Sequence, residues 1–164
     1  LAFLKILTGH DKNILGFKIY EDATRKERSS VMPLMQRIAQ RARQLETDTV
    51  HFLADMVRIP SFSSKEEAVV RRIESEMASR GFDEVRVDGM GNVVGRIGSG
   101  PRVIAFDAHV DTVEPGRMDL WRTDPFDPVV DGGAIHGRGT VDQEGGMASM
   151  VTAGRIIQEL DLAS

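Results

Sequence analysis

Cysteine is absent from all 164 residues, which excludes disulfides, thiolate zinc sites and cysteine nucleophiles. No apolar run approaches the roughly 20 residues that cross a bilayer as a helix. The opening LAFLKILTGHDKN has an apolar patch too short, and flanks too polar, for a secretory signal. Positive charge is not in excess either. The formal net charge of -4 gives no electrostatic reason to expect nucleic acid or a membrane surface as a partner. With no targeting signal, a cytoplasmic location is the default expectation. No G-x-S-x-G nucleophile elbow, internal repeat or low-complexity tract occurs.

What is present is ordinary for a folded domain: 41% hydrophobic and 28% charged residues, enough for one domain with a core and too few residues for two large ones. The chain opens on Leu1 rather than methionine and stops at Ser164 directly after an apolar-periodic helix. Both ends look cut, so a fragment of a longer protein is expected.

Residues 1 to 30 are the least readable part and are left as an unassigned segment or linker. ILGFKIY suggests a short strand, and EDATRKERSS a charged linker or helix start. From Pro33, apolar residues from Leu34 to Val57 recur at helical spacing, giving one long helix or two nearly joined ones before Pro60. SSKEEAVVRRIESEMASRGF is the clearest helix. Ser64 and Glu67 suggest a capping box, Val69, Val70, Ile73 and Met77 an apolar stripe, and Gly81 a stop. EVRVDGMGNVVGRIG reads as a hairpin and RVIAFDA as a strand inside a covered sheet. Two short strands flank an Asp-Gly-Gly turn in FDPVVDGGAIHGRG, and GGMASMVTAGRIIQEL closes with a helix. The order predicts an α/β fold with a mixed sheet.

Chemistry concentrates in IAFDAHVDTVEPG, where Asp107, His109 and Asp111 gather at the end of a buried strand. Residues two apart in an extended segment project to one side, so Asp111 can hold one imidazole nitrogen of His109 and leave the other for a metal. A surface loop with an incidental acid is the plainer alternative. In GRGTVDQEGGMAS, Gly137, Gly139, Gly145 and Gly146 surround Asp142 just before the last helix. A carboxylate there can bridge two cations, or Asp142 or Glu144 can simply cap the helix. GMGNVVG has the wrong spacing and setting for a dinucleotide site. His10 and His51 lack supporting context, His136 is weighed as a ligand and set aside, and Trp121 reads as fixing a loop.

Taken together, DAHVDTVEPG, W-x-x-DPFDP and DGGAIHGRGTVDQEGGMAS, with VRIPSFS upstream, resemble the di-zinc aminoacylase and carboxypeptidase family. That family includes acetylornithine deacetylase, succinyl-diaminopimelate desuccinylase and glutamate carboxypeptidases. The run GRGTVDQEGGMASMVTAG most resembles its YgeY-like, selenium-metabolism-linked branch. The resemblance covers about residues 36 to 164. It implies a three-layer αβα, zinc-exopeptidase-like catalytic domain, of which residues 31 to 164 are the N-terminal portion.

By the same resemblance, His109 ligates one zinc, Asp111 orients it as a catalytic residue, and Asp142 bridges two Zn2+ ions across a peptide bond to Gln143 that is cis. Co2+ or Mn2+ is the alternative metal. A glutamate pair some thirty residues further on supplies the general base and another ligand in the family. The tandem Glu66-Glu67 lies upstream and does not match it. A smaller inserted domain often mediates dimerisation there, so a homodimer is implied for the whole protein.

The expected function is therefore zinc-dependent hydrolysis of a peptide or N-acyl amino acid by a metal-activated water, with the 164-residue chain alone inactive. The alternatives are a di-metal hydrolase of another bond and a non-catalytic binding module that keeps the fold. A glutamate pair beyond Asp142 separates the hydrolase from the binding module.

Overall fold

Two consecutive helices, α1 (Leu34–Gln44) and α2 (Glu46–Val57), open the helical part of the chain in the computed structural model, which describes residues 2–8 and 32–163. The expectations for ILGFKIY, EDATRKERSS and His10 lie outside the described residues. The helices are nearly continuous. Leu45, 2% exposed, sits at the junction with its N–H shared between the carbonyls of Arg41 and Ala42, and Thr49 N–H resumes the ladder onto the Leu45 carbonyl.

Helix α3 (Glu67–Ser79) buries Val69, Val70, Ile73, Glu76 and Met77, the stripe expected from the sequence. Its end is a Schellman motif: Gly81 takes φ +80°, and Phe82 N–H reaches back to the Met77 carbonyl while its ring is buried. Its start differs from the predicted capping box. The N-cap is Glu66, with no side-chain cap bond, and the Ser64 N–H donates to Glu66 Oε1 at 2.7 Å. Ser64, at φ +68°, belongs to the turn before the helix and stands too early to cap it.

Strands β2 (Glu84–Val87) and β3 (Val93–Ile97) form the predicted hairpin, closing at Val87↔Val93. The Asp88 carboxylate organises the turn by accepting from Met90 N–H, Asn92 N–H and Asn92 Nδ2. Strand β4 (Arg102–Ala108) follows. A strand unread in the sequence, β1 (Ala2–Thr8), lies parallel to β3 and antiparallel to β4, so the mixed sheet runs β2-β3-β1-β4. Strands β5 (Val129–Asp131) and β6 (Ala134–His136) form a separate antiparallel pair across Gly132 and Gly133, both at positive φ. Helix α4 (Glu144–Glu159) completes the order.

Helix α2 packs against both α3 and α4, and α3 and α4 lie against the sheet. One buried cluster joins Phe52 and Met56 of α2, Ile73 and Met77 of α3, Val93 and Ile97 of β3, and Met147 and Val151 of α4. The described residues thus form a helical layer on a mixed sheet, an α/β arrangement. Strand β4 departs from its reading as a covered strand. It lies at the sheet edge, Arg102 through Asp107 are exposed, and only Ala108 is buried. A run of apolar residues marks both a covered strand and one whose cover is absent, so sequence alone does not separate them.

Candidate metal centre

Immediately after β4 the chain alternates strictly. Ala108, Val110 and Thr112 are buried, while His109 and Asp111 point outward and are partly exposed. The apolar side of this extended segment is anchored in the core, which leaves its polar side to present the imidazole and the carboxylate together. A short segment before α3 flanks it: Thr112 N–H donates to the Ser61 carbonyl at 2.8 Å, and Phe62 bridges Thr112 in parallel.

Asp142 arrives from a different part of the fold, the loop between β6 and α4. It is not at the end of a strand neighbouring β4. Arg138 N–H donates to the Pro125 carbonyl at 2.7 Å, Thr140 Oγ1 to the Gly137 carbonyl, and Glu144 N–H to the Gly139 carbonyl at 3.0 Å. The Asp142–Gln143 peptide bond is cis, as the resemblance implies. Gly145 and Gly146 lie inside α4, and the left-handed glycine of the loop is Gly139, at φ +83°.

The two segments meet at one point. His109 Nε2 lies 2.9 Å from Asp142 Oδ1, although 33 positions separate them. On the other side of the ring, His109 Nδ1 lies 3.1 Å from the Asp111 carbonyl and 3.3 Å from Asp111 Oδ1. Partial burial pulls the imidazole pKa down, but the hydrogen bond to Asp142, the contact with Asp111 and both charges outweigh it, so the net shift is upward. An open cavity of about 260 Å³ is bordered by His109, Asp111, Arg138 and Asp142.

The donor chemistry suits a metal. One imidazole nitrogen and one carboxylate oxygen converge at hydrogen-bond distance; a tetrahedral ion with bonds of about 2.0–2.1 Å would hold them roughly 3.3 Å apart, so a small parting of the pair would admit it. The second ring nitrogen is held by an aspartate, as in carboxylate–histidine–metal arrangements. Among the described residues, no three His, Cys, Asp or Glu side chains gather into a fuller ion-binding group. Neither His51, exposed on α2, nor His136, exposed on β6, lines the cavity that His109, Asp111 and Asp142 border. Trp121 donates Nε1–H to the Pro115 carbonyl at 3.0 Å and carries Arg138 5.0 Å over its ring, which fixes the loop.

Sequence reading left Glu144 as a possible helix cap, and the structure shows something else. Gln143 is the N-cap, and the Glu144 side chain is 1% exposed beneath the loop, with Oε2 lacking a hydrogen-bond partner. Burial pushes its pKa up to about 8, so it is neutral at pH 7. A Cβ on Gly139 would stand 2.8 Å from Glu144 Oε2 and from Thr112 Cγ2, a second reason for glycine there.

Known proteins resemble this chain in sequence and in fold. The model for Peptidase family M20/M25/M40 matches residues 105–163, which contain His109, Asp111 and Asp142. The uncharacterized protein YgeY of Escherichia coli K12 is 53% identical over 125 residues, 76% of this chain and 31% of that protein. A [LysW]-lysine hydrolase of Deinococcus radiodurans is 40% identical over 115 residues, 70% of this chain and 27% of that protein. A succinyl-diaminopimelate desuccinylase of Methylobacterium is 35% identical over 105 residues, 60% of this chain and 26% of that protein. The solved structure of the di-peptidase Dug1p from Saccharomyces cerevisiae superposes with a TM-score of 0.63 at 21% identity, over 77% of this chain and 31% of that one, and shares the fold. The chain therefore spans about a third of the length of these relatives. In its motifs, its fold and these matches together, the chain is similar to Peptidase family M20/M25/M40, whose model matches residues 105–163.

Proposed function

We propose that this chain is the N-terminal portion of the catalytic domain of a zinc-dependent hydrolase that cleaves a peptide or N-acyl amino-acid amide bond. The observation that carries this is the convergence of His109 Nε2 and Asp142 Oδ1 at 2.9 Å, with Asp111 behind the ring. Relatives named as a desuccinylase and a lysine hydrolase support the amide-bond class. His109 and Asp142 would hold the metal. When bound, zinc supplies a Lewis acid and lowers the pKa of its water to about 7.

Asp111 accepts from the Nδ1–H of His109 and Asp142 Oδ1 from its Nε2–H, so a metal would take Nε2 in place of that second proton. Metal and proton compete for Nε2, since an imidazole must be unprotonated there to act as a ligand. No side chain among the described residues is assigned as the base, so the chain alone is expected to bind zinc weakly and to turn over no N-acyl amino acid.

Zinc titration calorimetry on the chain, His109→Ala and Asp142→Asn tests the reading. Binding lost in both variants supports it. Binding indifferent to both overturns it and leaves a non-catalytic binding module. A polypeptide extended to the length of the relatives should hydrolyse N-acyl amino acids in a His109-dependent way.

A further inference from the structure

We infer that Ser63 is a positioning residue of this centre, acting on His109 through Asp111; the inference rests on the metal reading above. Ser63 Oγ donates to Asp111 Oδ2 at 2.8 Å, while Asp111 Oδ1 faces His109 Nδ1 at 3.3 Å. The two oxygens of one carboxylate are thus divided between two partners. The Asp111 side chain is 42% exposed, so a single contact would leave it free to rotate toward water. The serine hydroxyl supplies the second point that defines the carboxylate plane, and with it the ring it supports.

The hydroxyl is itself fixed from both sides. On one side, Ser61 accepts from Thr112 N–H, its Oγ lies 3.3 Å from Thr112 Oγ1 in a buried pair, and the Phe62 ring meets Phe126 edge-on at 6.0 Å. On the other, Lys65 N–H closes a turn onto the Phe62 carbonyl at 2.8 Å through Ser64 in the left-handed region. Helix α3 makes no use of Ser63, since its N-cap is Glu66 and no side chain caps it. The Ser63 hydroxyl therefore serves Asp111, 48 positions away.

The test compares wild type, Ser63→Ala, Ser63→Thr and His109→Ala in two measurements. One is calorimetric titration with zinc alone. The other is the 15N spectrum of the His109 ring in metal-free protein at alkaline pH, which reports the tautomer. Ser63→Ala should weaken zinc binding about tenfold, the scale of lost support behind a ligand, and mix the ring tautomers. Ser63→Thr, which keeps the hydroxyl, should restore both. A serine that only stabilised the loop would lower the melting temperature and leave the ring spectrum unchanged.

An unchanged ring spectrum in Ser63→Ala overturns the inference. So does unchanged zinc affinity in Ser63→Ala while His109→Ala abolishes binding, and in that case the metal reading stands. If His109→Ala leaves zinc binding intact the metal reading fails, and the ring spectrum alone still decides whether Ser63 acts on His109.

Discussion

Arg41 and Glu159, 118 positions apart, meet in a two-point ion pair in which Arg41 Nη2 lies 2.9 Å from Glu159 Oε1 and Nε donates to Oε2. Arg155 adds a third contact to the same carboxylate at 2.8 Å. The hydrogen bond from Arg41 is the main reason the Glu159 carboxyl is held down to about 2, against partial desolvation. A depressed carboxylate stabilises the fold above its ordinary pKa of 4.5, and that contribution is lost as pH falls from there toward about 2. Glu159→Gln should therefore destabilise at pH 6 and lose most of its penalty near pH 2. Because the pair is partly exposed, the difference at neutral pH should be about 1 kcal/mol or less. Urea melts at both pH values check it, and a penalty independent of pH would contradict the assignment.

Gly145 and Gly146 are adjacent and should respond oppositely to alanine. A Cβ on Gly145 would stand 2.4 Å from the Thr140 carbonyl oxygen, a backbone atom of the loop that carries Asp142. On Gly146 the nearest atom is Gln143 Cγ at 3.2 Å, part of a side chain that can turn away. Gly145→Ala should cost about 1–3 kcal/mol and weaken zinc binding by displacing the loop. Gly146→Ala should be neutral, or stabilising by up to about 1 kcal/mol from helix propensity. Thermal melts of the two variants side by side decide it.

Burial predicts the contrast between two apolar truncations. Ile73 is 0% exposed in the centre of α3, so Ile73→Ala should cost about 2–5 kcal/mol. Met90 is 87% exposed at the hairpin turn, and Met90→Ala should stay within about 0.5 kcal/mol. Denaturant midpoints at constant slope provide the comparison.

Replacing Glu144 probes the buried carboxyl beneath the site loop. Glu144→Gln keeps the shape of the side chain and should leave the fold intact at pH 7, where the native carboxyl is already neutral. Glu144→Ala empties the space under Gly139 and should destabilise by about 1–3 kcal/mol. Calorimetric unfolding of both variants separates shape from charge.

What was legible in the sequence was mostly local. Helix α3 announced itself because its stripe, its spacing and its Gly81 stop all fall within one short window, and the β2–β3 hairpin carried its own turn residues. The His109–Asp111 pair was visible for the same reason, being two positions apart along extended chain. Asp142 was found as a lone acid in a glycine-rich loop, and only the family resemblance attached it to His109. Ser63 and Glu144 stayed hidden because their roles come from contacts across the fold: the serine needs Asp111 from 48 positions on, and Glu144 matters only once Gly139 folds over it. The start of α3 misled because S-x-x-E is a common spacing, while a left-handed Ser64 follows from the pairing of residues 61–62 with Thr112. Strand β1 was missed because its partners, β3 and β4, lie some ninety positions or more downstream.

The exposed side of β4 has a practical consequence for anyone handling this polypeptide. Val103, Ile104 and Phe106 are 47, 51 and 49% exposed, and beyond β1 the strand has no neighbour among the described residues. Unpaired strands of this kind recruit other chains by backbone hydrogen bonding, so turbidity and particle size should climb with protein concentration. A lysine at Ile104 should raise the solubility ceiling while leaving the distant cluster around Met56 and Ile73 untouched.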